Sequence, residues 1–422
     1  MATALKNHTE NTSLSEQPIW RNGDYLRLWG GQTASAIGAQ VSGLALPLLI
    51  LALTHSPAKV GLLAALRGVP YVLLILPAGA LIDRWNPRRV MLLCDTGRAL
   101  ALASIPLALA LGHLPLMQLY IVTFIEGTLF VFFNQAESNC LVRVVTPNQL
   151  PIAVAQGQAL EGSAGLIGPA LGGLLYGLGR GVPFLTDAIS YVISLLALLA
   201  LKTDLRPMPK ETSTAPHLGR EIWEGLRWLY AHQTIRFVAL LTGGLMLFGD
   251  GYTLILILLA QRLHATSAEV GVLLATGGLG TLLGSTLSVG LQRRFRFGPL
   301  MIGVTWAWAL TWVPCVFATN LIALGIANTI CYIVVPVYFS TQYAYRLGKI
   351  PDHLQGRVNS IYRLIAFGTF PVGLAMTGLL LQKFGPVQTI WILFVPQILL
   401  GIVATLHPVL RLAGRAEEIG KQ

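Results

Sequence analysis

Apolar runs of roughly 20 residues, broken only by short islands of charge, constrain this chain more than any other feature. A bilayer core of about 30 Å takes about 20 helical residues to cross. Backbone groups in lipid must find hydrogen bonds within their own segment, so such runs are helices; they are too long and unbroken for barrel strands. Of the 422 residues 54% are hydrophobic and 11% are charged, against about 25% charged in a soluble protein. The pattern predicts twelve spans, at 25–52, 59–82, 89–111, 116–139, 151–178, 182–201, 235–260, 269–291, 299–318, 320–343, 355–384 and 386–406. The expected fold is therefore all-α and integral to the membrane, with twelve transmembrane helices. Residues 1–22 are polar without an apolar core and do not read as a signal peptide.

A net charge of +11 suggests nucleic acid, but its distribution argues against that. With the N-terminus inside, 22 of the 29 lysines and arginines fall on cytoplasmic segments, and only Lys59, Arg180, Arg262 and Lys383 fall outside. That is the positive-inside bias, and it predicts both termini in the cytoplasm of a multi-pass inner (plasma) membrane protein. Basic loops facing anionic lipid account for the excess. Cys94, Cys140, Cys315 and Cys331 have no paired spacing and read as packing residues.

The longest polar stretch, 202–234, holds Pro207, Pro209, Pro216 and an amphipathic piece from Gly219 to Tyr230. There Ile222, Trp223, Leu226 and Leu229 are expected to share one face on the inner membrane surface. This gives a cytoplasmic tail (1–22), a six-helix bundle (23–201), a linker (202–234), a second six-helix bundle (235–406) and a C-terminal tail (407–422). The halves echo each other. Ala58-Lys59-Val60-Gly61 parallels Ala268-Glu269-Val270-Gly271, Asp83-Arg84 parallels Arg293-Arg294, and Pro147-Asn148-Gln149-Leu150 parallels Pro351-Asp352-His353-Leu354. Two pseudo-symmetric six-helix bundles repeating in parallel are the plan of the major facilitator transporters.

Motifs carry the resemblance further. Gly79, Asp83, Arg84, Arg88 and Arg89 stand as in the turn after the second helix of that superfamily, with Asn86 where a glycine is usual. Gly168-Pro169-Ala170-Leu171-Gly172-Gly173 is similar to the Gly-Pro-x-x-Gly-Gly motif associated with antiporters. Tyr25-Leu26-Arg27-Leu28-Trp29-Gly30-Gly31-Gln32 resembles the macrolide-efflux and enterobactin-exporter branch. The resemblance implies alternating access, with the first motif acting in gating. Asp83 would pair with a nearby arginine or face the start of the eleventh helix near Leu354, whose end of the helix dipole is positive. The glycines of the second motif would serve close helix packing or the seal between halves.

Intramembrane charge is expensive and marks candidate function. Glu126 and Glu161 are each placed roughly 15 Å into their spans, near the midplane. Asp187 and Asp250 lie nearer outer ends. Any of the four is a candidate proton carrier or cation site, or a structural carboxylate. Arg67 and Arg363 keep an anionic substrate open, and Asp95 and Arg98, at i and i+3, are expected to pair along their helix.

The expected activity is export of a hydrophobic or amphipathic small molecule of drug, macrolide or siderophore type, coupled to proton influx. Import or facilitated passage of an organic solute, and a non-transporting receptor, are the alternatives. No hydrolase, zinc-protease or phosphate-loop motif points to an enzyme or an ATP-driven pump. No cofactor, metal or nucleic acid is expected. The partners expected are substrate, protons and membrane lipid, acting on a monomer.

Overall fold

The apolar runs form helices connected by short turns. A computed structural model describes residues 18–82, 85–203, 218–351 and 354–412. The first six passes are α1 (Gly23–Thr54), α2 (Pro57–Ile82), α3 (Pro87–Ala110), α4 (Leu116–Val144), α5 (Leu150–Leu178) and α6 (Val182–Leu199). A shorter helix, α7 (Leu218–Ala231), follows. The later passes are more broken. α8 (Gln233–Gly249) and α9 (Tyr252–Arg262) share one pass, α10 (Ser267–Arg294) makes the next, and α11 (Phe297–Leu310) with α12 (Val313–Val316) makes a third. α13 (Leu321–Lys349), α14 (Gln355–Phe367), α15 (Phe370–Leu406) and α16 (Pro408–Leu412) complete the chain's described helices.

α15 holds the end of the eleventh pass and the whole of the twelfth. At Gly385 φ is +74°, a left-handed conformation that glycine adopts without a Cβ penalty, and Pro386 begins the return. Among the described residues ten stretches are long and apolar enough to cross a membrane, one of them the double-length Gln355–Leu406. α5 is equally long but is diluted by Gln156, Gln158 and Glu161. Twelve passes put the start of α1 and the end of α15 toward one face, here called proximal; the other is distal.

Local sequence explains the turns. Asn86 caps α3, its side chain accepting from the Arg88 and Arg89 amides at 3.0 and 3.4 Å, with Pro87 at the first helical position. Thr266 and Glu269 form a capping box at the start of α10. α7 differs from the single apolar face expected of it. Leu229 is buried, and Gly225 packs on Ile361 and the Arg357 backbone of α14, where Arg357 pairs with Glu224 at 2.6 Å. Trp223, Leu226 and Tyr230 are left exposed on another side. The apolar residues of α7 thus divide between the bundle and its surroundings.

Candidate functional site: a distal seam and a buried charge network

Two pairs of helices cross between the halves of the chain near the distal face, and glycine sets both crossings. Gly61 of α2 faces Gly378 of α15; a Cβ at Gly378 would lie 2.8 Å from the Gly61 Cα and 2.8 Å from the Pro57 carbonyl. Gly271 of α10 faces Gly173 of α5; a Cβ at Gly173 would lie 2.9 Å from the Gly271 Cα and would collide with the Ser267 carbonyl. Small residues let helix backbones approach where lipid supplies no hydrophobic drive between them. A hydrogen bond from Ser56 to Gln382, 2.7 Å, spans the same seam at its exposed edge. Between the halves, near this edge, lies a cavity of about 410 Å³ lined by residues that include Leu48, His55, Tyr176, Gln261 and Val270.

The proximal halves of the same helices are not packed in this way. In α5, Ile152, Val154, Gln158, Glu161 and Ser163 are exposed, whereas Ala164, Gly168, Gly172 and Gly173 are buried. In α10, Leu282, Leu283, Ser285, Thr286, Leu287, Val289, Arg293 and Arg294 are exposed. A Cβ at Gly157, Gly162 or Gly165 of α5, or at Gly290 of α10, would meet nothing within 4 Å, whereas Gly173 and Gly271 meet across the distal seam.

The antiporter-like motif divides its work. Gly168 fits against Gln40 and Gly172 against the backbone of Val41, both on α1, so these two glycines lock α5 to its own half. Gly173 and the Pro169 carbonyl meet α10 instead. One six-residue stretch therefore sets packing within a half and between halves.

The acids of the first half fall into separate environments. Glu126 of α4 takes two arginines: Arg67 of α2 donates from Nε at 2.7 Å and Nη2 at 3.2 Å, and Arg98 of α3 donates from Nη2 at 3.1 Å. Gly127 sits directly under the Arg67 carbonyl, so a side chain there would push α2 and α4 apart. The Glu126 and Arg98 side chains are 8% and 3% exposed, and Arg67, at 39%, is the group through which the cluster opens. The Arg98 guanidinium also lies 4.1 Å from the Tyr191 ring centroid. Asp187 of α6 accepts from Ser42 of α1 and from Ser190, the latter at 3.2 Å. A carboxylate shared by two guanidinium groups is compensated in place, which suits a rigid strut between helices.

The expected Asp95–Arg98 pair does not form. Arg98 turns to Glu126, and the buried Asp95 carboxylate has no hydrogen-bond partner. A carboxylate already fixed by Arg67 is the better-placed partner than one a turn away on the same helix. Glu161 is exposed on α5 and lies in electrostatic reach of Glu137 of α4. Glu137 escaped the sequence reading, although it follows Glu126 by eleven residues, about three helical turns, and so shares its face.

Asp250 stands between α8 and α9, where the seventh pass is interrupted. Its Oδ2 is buried without a hydrogen-bond partner. Of the turn motif, Arg88 donates to the Leu199 carbonyl at 2.6 Å and ties α3 to the end of α6, while Arg89 is exposed. A Cβ at Gly79 would meet open space. Asp83 and Arg84 lie outside the described residues. On the second half, Arg346, one of the 22 basic residues assigned to cytoplasmic segments, is only 7% exposed, with its guanidinium carbon 3.6 Å from the Tyr362 ring centroid. Thr242 joins that cluster by hydrogen bonds to Tyr338 and Tyr362 at 2.8 and 3.0 Å. The four cysteines are free and buried, and no group of metal-ligating side chains occurs among the described residues.

Twelve passes, a parallel repeat and a two-sided crossing between halves are the major facilitator fold. Residues 16–419 match the transmembrane secretion effector family, and the chain belongs to it. It is 26% identical over 413 residues to the multidrug efflux pump Tap of Mycolicibacterium fortuitum, covering 92% of this chain and 96% of that one. It is 25% identical over 377 residues to the enterobactin exporter EntS of Shigella boydii serotype 18, covering 84% of each. A bacterial homologue of the human lysosomal transporter Spinster, solved inward-facing and unoccupied, shares the fold. Its TM-score is 0.72 at 17% identity, covering 94% of this chain and 98% of that one. The protein is a multi-pass membrane transporter and not an enzyme.

Proposed function

We propose that this transporter exports hydrophobic or amphipathic small molecules by alternating access, driven by protons entering in exchange, with both chain ends in the cytoplasm. The basic bias of the proximal loops supports that orientation. The proximal face is then the inner one, and the described form is shut toward the outside and splayed toward the cytoplasm. The observation that carries the reading is the paired glycine seam: two symmetry-related crossings close one face and leave the other clear. Such a closure is one end of a rocking motion about a central site. The similarity to Tap, a multidrug efflux pump, and to EntS, an enterobactin exporter, supports the outward direction and the substrate type. Acids buried in the passes support proton coupling. Asp83, whose place in the turn motif suits a latch, would hold the inner face in the opposite state.

The test is transport of hydrophobic cations, macrolides and siderophores in everted vesicles with an imposed pH gradient. Accumulation of at least one class that collapses with the gradient is expected. Accumulation indifferent to the gradient removes the proton-coupled reading, and net movement in the opposite direction favours an importer.

A further inference from the structure

We propose that Asp250 is the proton-binding side chain that controls the distal seam, acting through Thr377. This rests on the proton-coupled reading above. The other acids of the passes stand in different surroundings. Glu126 has two arginines, and Asp187 has two serine hydroxyls. Asp95 also lacks a hydrogen-bond partner but has Arg98 in electrostatic reach, and Glu137 and Glu161 lie in reach of each other, Glu161 being exposed. Asp250 has neither a cation nor a donor on its buried oxygen, and it sits twelve residues before the distal end of α9, about 18 Å in.

Its neighbours connect it to the seam. A Cβ at Gly251 would collide with the side chain of Thr377, so the interruption between α8 and α9 rests directly on that threonine. The Thr377 hydroxyl is itself buried without a partner. The next residue, Gly378, is the one that meets Gly61 across the seam. The residue after the acid is thus linked to the closure through Thr377 and its neighbour Gly378.

The groups around Asp250 leave it to set the charge. Its titratable neighbours are Tyr252, two residues along its own pass, and Tyr332 of α13. Cys315 of α12 and Cys331 of α13 face Tyr252. Trp308 of α11 lies against the preceding Gly249. α15 offers the uncharged Thr377 and, from the twelfth pass, Gln397, which donates to the Phe248 carbonyl at 3.1 Å. Arg262, Glu269 and Lys383, the charged residues of α9, of the start of α10 and of this part of α15, stand at the distal ends of their helices.

The cycle follows from solvation. With the seam open, distal water reaches the carboxylate and supplies a proton. The neutral acid tolerates burial, and its hydroxyl becomes a donor for a group such as Thr377 Oγ1; the seam then closes. Release of that proton toward the proximal side restores a charge that is costly without a partner and drives the seam open again.

The test places spin labels at Ser56→Cys and Gln382→Cys, the two ends of the seam hydrogen bond, and reads their separation in reconstituted protein in acidic and alkaline buffer. The short separation should dominate in acid and give way to a longer one in alkali. In Asp250→Asn, which fixes the side chain neutral, the short separation should persist in both, and gradient-driven efflux should fall to background. Asp250→Glu should restore the pH response with a shifted midpoint. If the unsubstituted seam and its efflux both ignore pH, the proton-coupled reading falls with the proposal. If both respond and Asp250→Asn responds equally, the assignment to Asp250 alone is wrong.

Discussion

Gly271→Leu should reduce efflux to a small fraction of the parent rate while leaving the protein in the membrane. The Gly271 Cβ would collide with the Pro169 carbonyl and would lie 3.0 Å from the Gly173 Cα, so a leucine cannot be seated with the seam shut. Overpacking of this kind costs about 1–3 kcal/mol, and every 1.4 kcal/mol is a factor of ten in an equilibrium. A penalty near the upper end shifts the seam equilibrium by roughly 100-fold toward the distal-open form, where the clash is relieved. Folding is spared because that form exists without the contact; transport is not, because the cycle needs both forms. Gly61→Leu should act the same way, since Gly61 approaches the Gly378 backbone at its own crossing. Gly303→Leu is the control, because a Cβ there meets nothing within 4 Å. Efflux and the reactivity of a cysteine at Ser56 report the outcome. Normal efflux by Gly271→Leu would mean the crossing at α5 and α10 need not close.

Glu126→Gln should be the most destabilising single exchange in the first half of the chain. It removes the one carboxylate that Arg67 and Arg98 share and leaves the Arg98 guanidinium buried without an ion-pair partner. Breaking a buried pair from one side costs about 3–5 kcal/mol, because the remaining charge is uncompensated. Arg67→Gln should cost less. Its side chain is 39% exposed, which screens the interaction, and Glu126 keeps Arg98. Thermal unfolding of purified protein in detergent should therefore rank Glu126→Gln below Arg67→Gln, and Arg67→Gln below the parent. The reverse order would make Arg67 the member of the pair on which the packing depends.

The number of passes and their repeat were legible because bilayer thickness imposes a length that few other constraints override. The echo of Ala58-Lys59-Val60-Gly61 in Ala268-Glu269-Val270-Gly271 was also visible, but its meaning was not. Gly61 and Gly271 each meet a partner glycine far away in sequence, and only the folded chain brings those backbones together. Local spacing misled where a distant partner was better placed: Asp95 and Arg98 sit at pairing distance along a helix, yet Arg98 pairs with Glu126. Arg346 read as a basic residue of a cytoplasmic segment because it falls in the last turn of α13, and its burial against Tyr362 depends on α14. For Asp250 the sequence showed only an acid within a pass, while the lack of a partner for its buried oxygen depends on four neighbouring passes.

Locking the seam tests the account most directly. Cysteines at Ser56 and Gln382, whose native side chains share a 2.7 Å hydrogen bond across the distal edge, can be joined by a short, reducible bifunctional thiol reagent that holds the two halves shut. Efflux should stop on cross-linking and return on reduction. Efflux continuing at the parent rate through the cross-linked protein would contradict a transport cycle in which this seam must open.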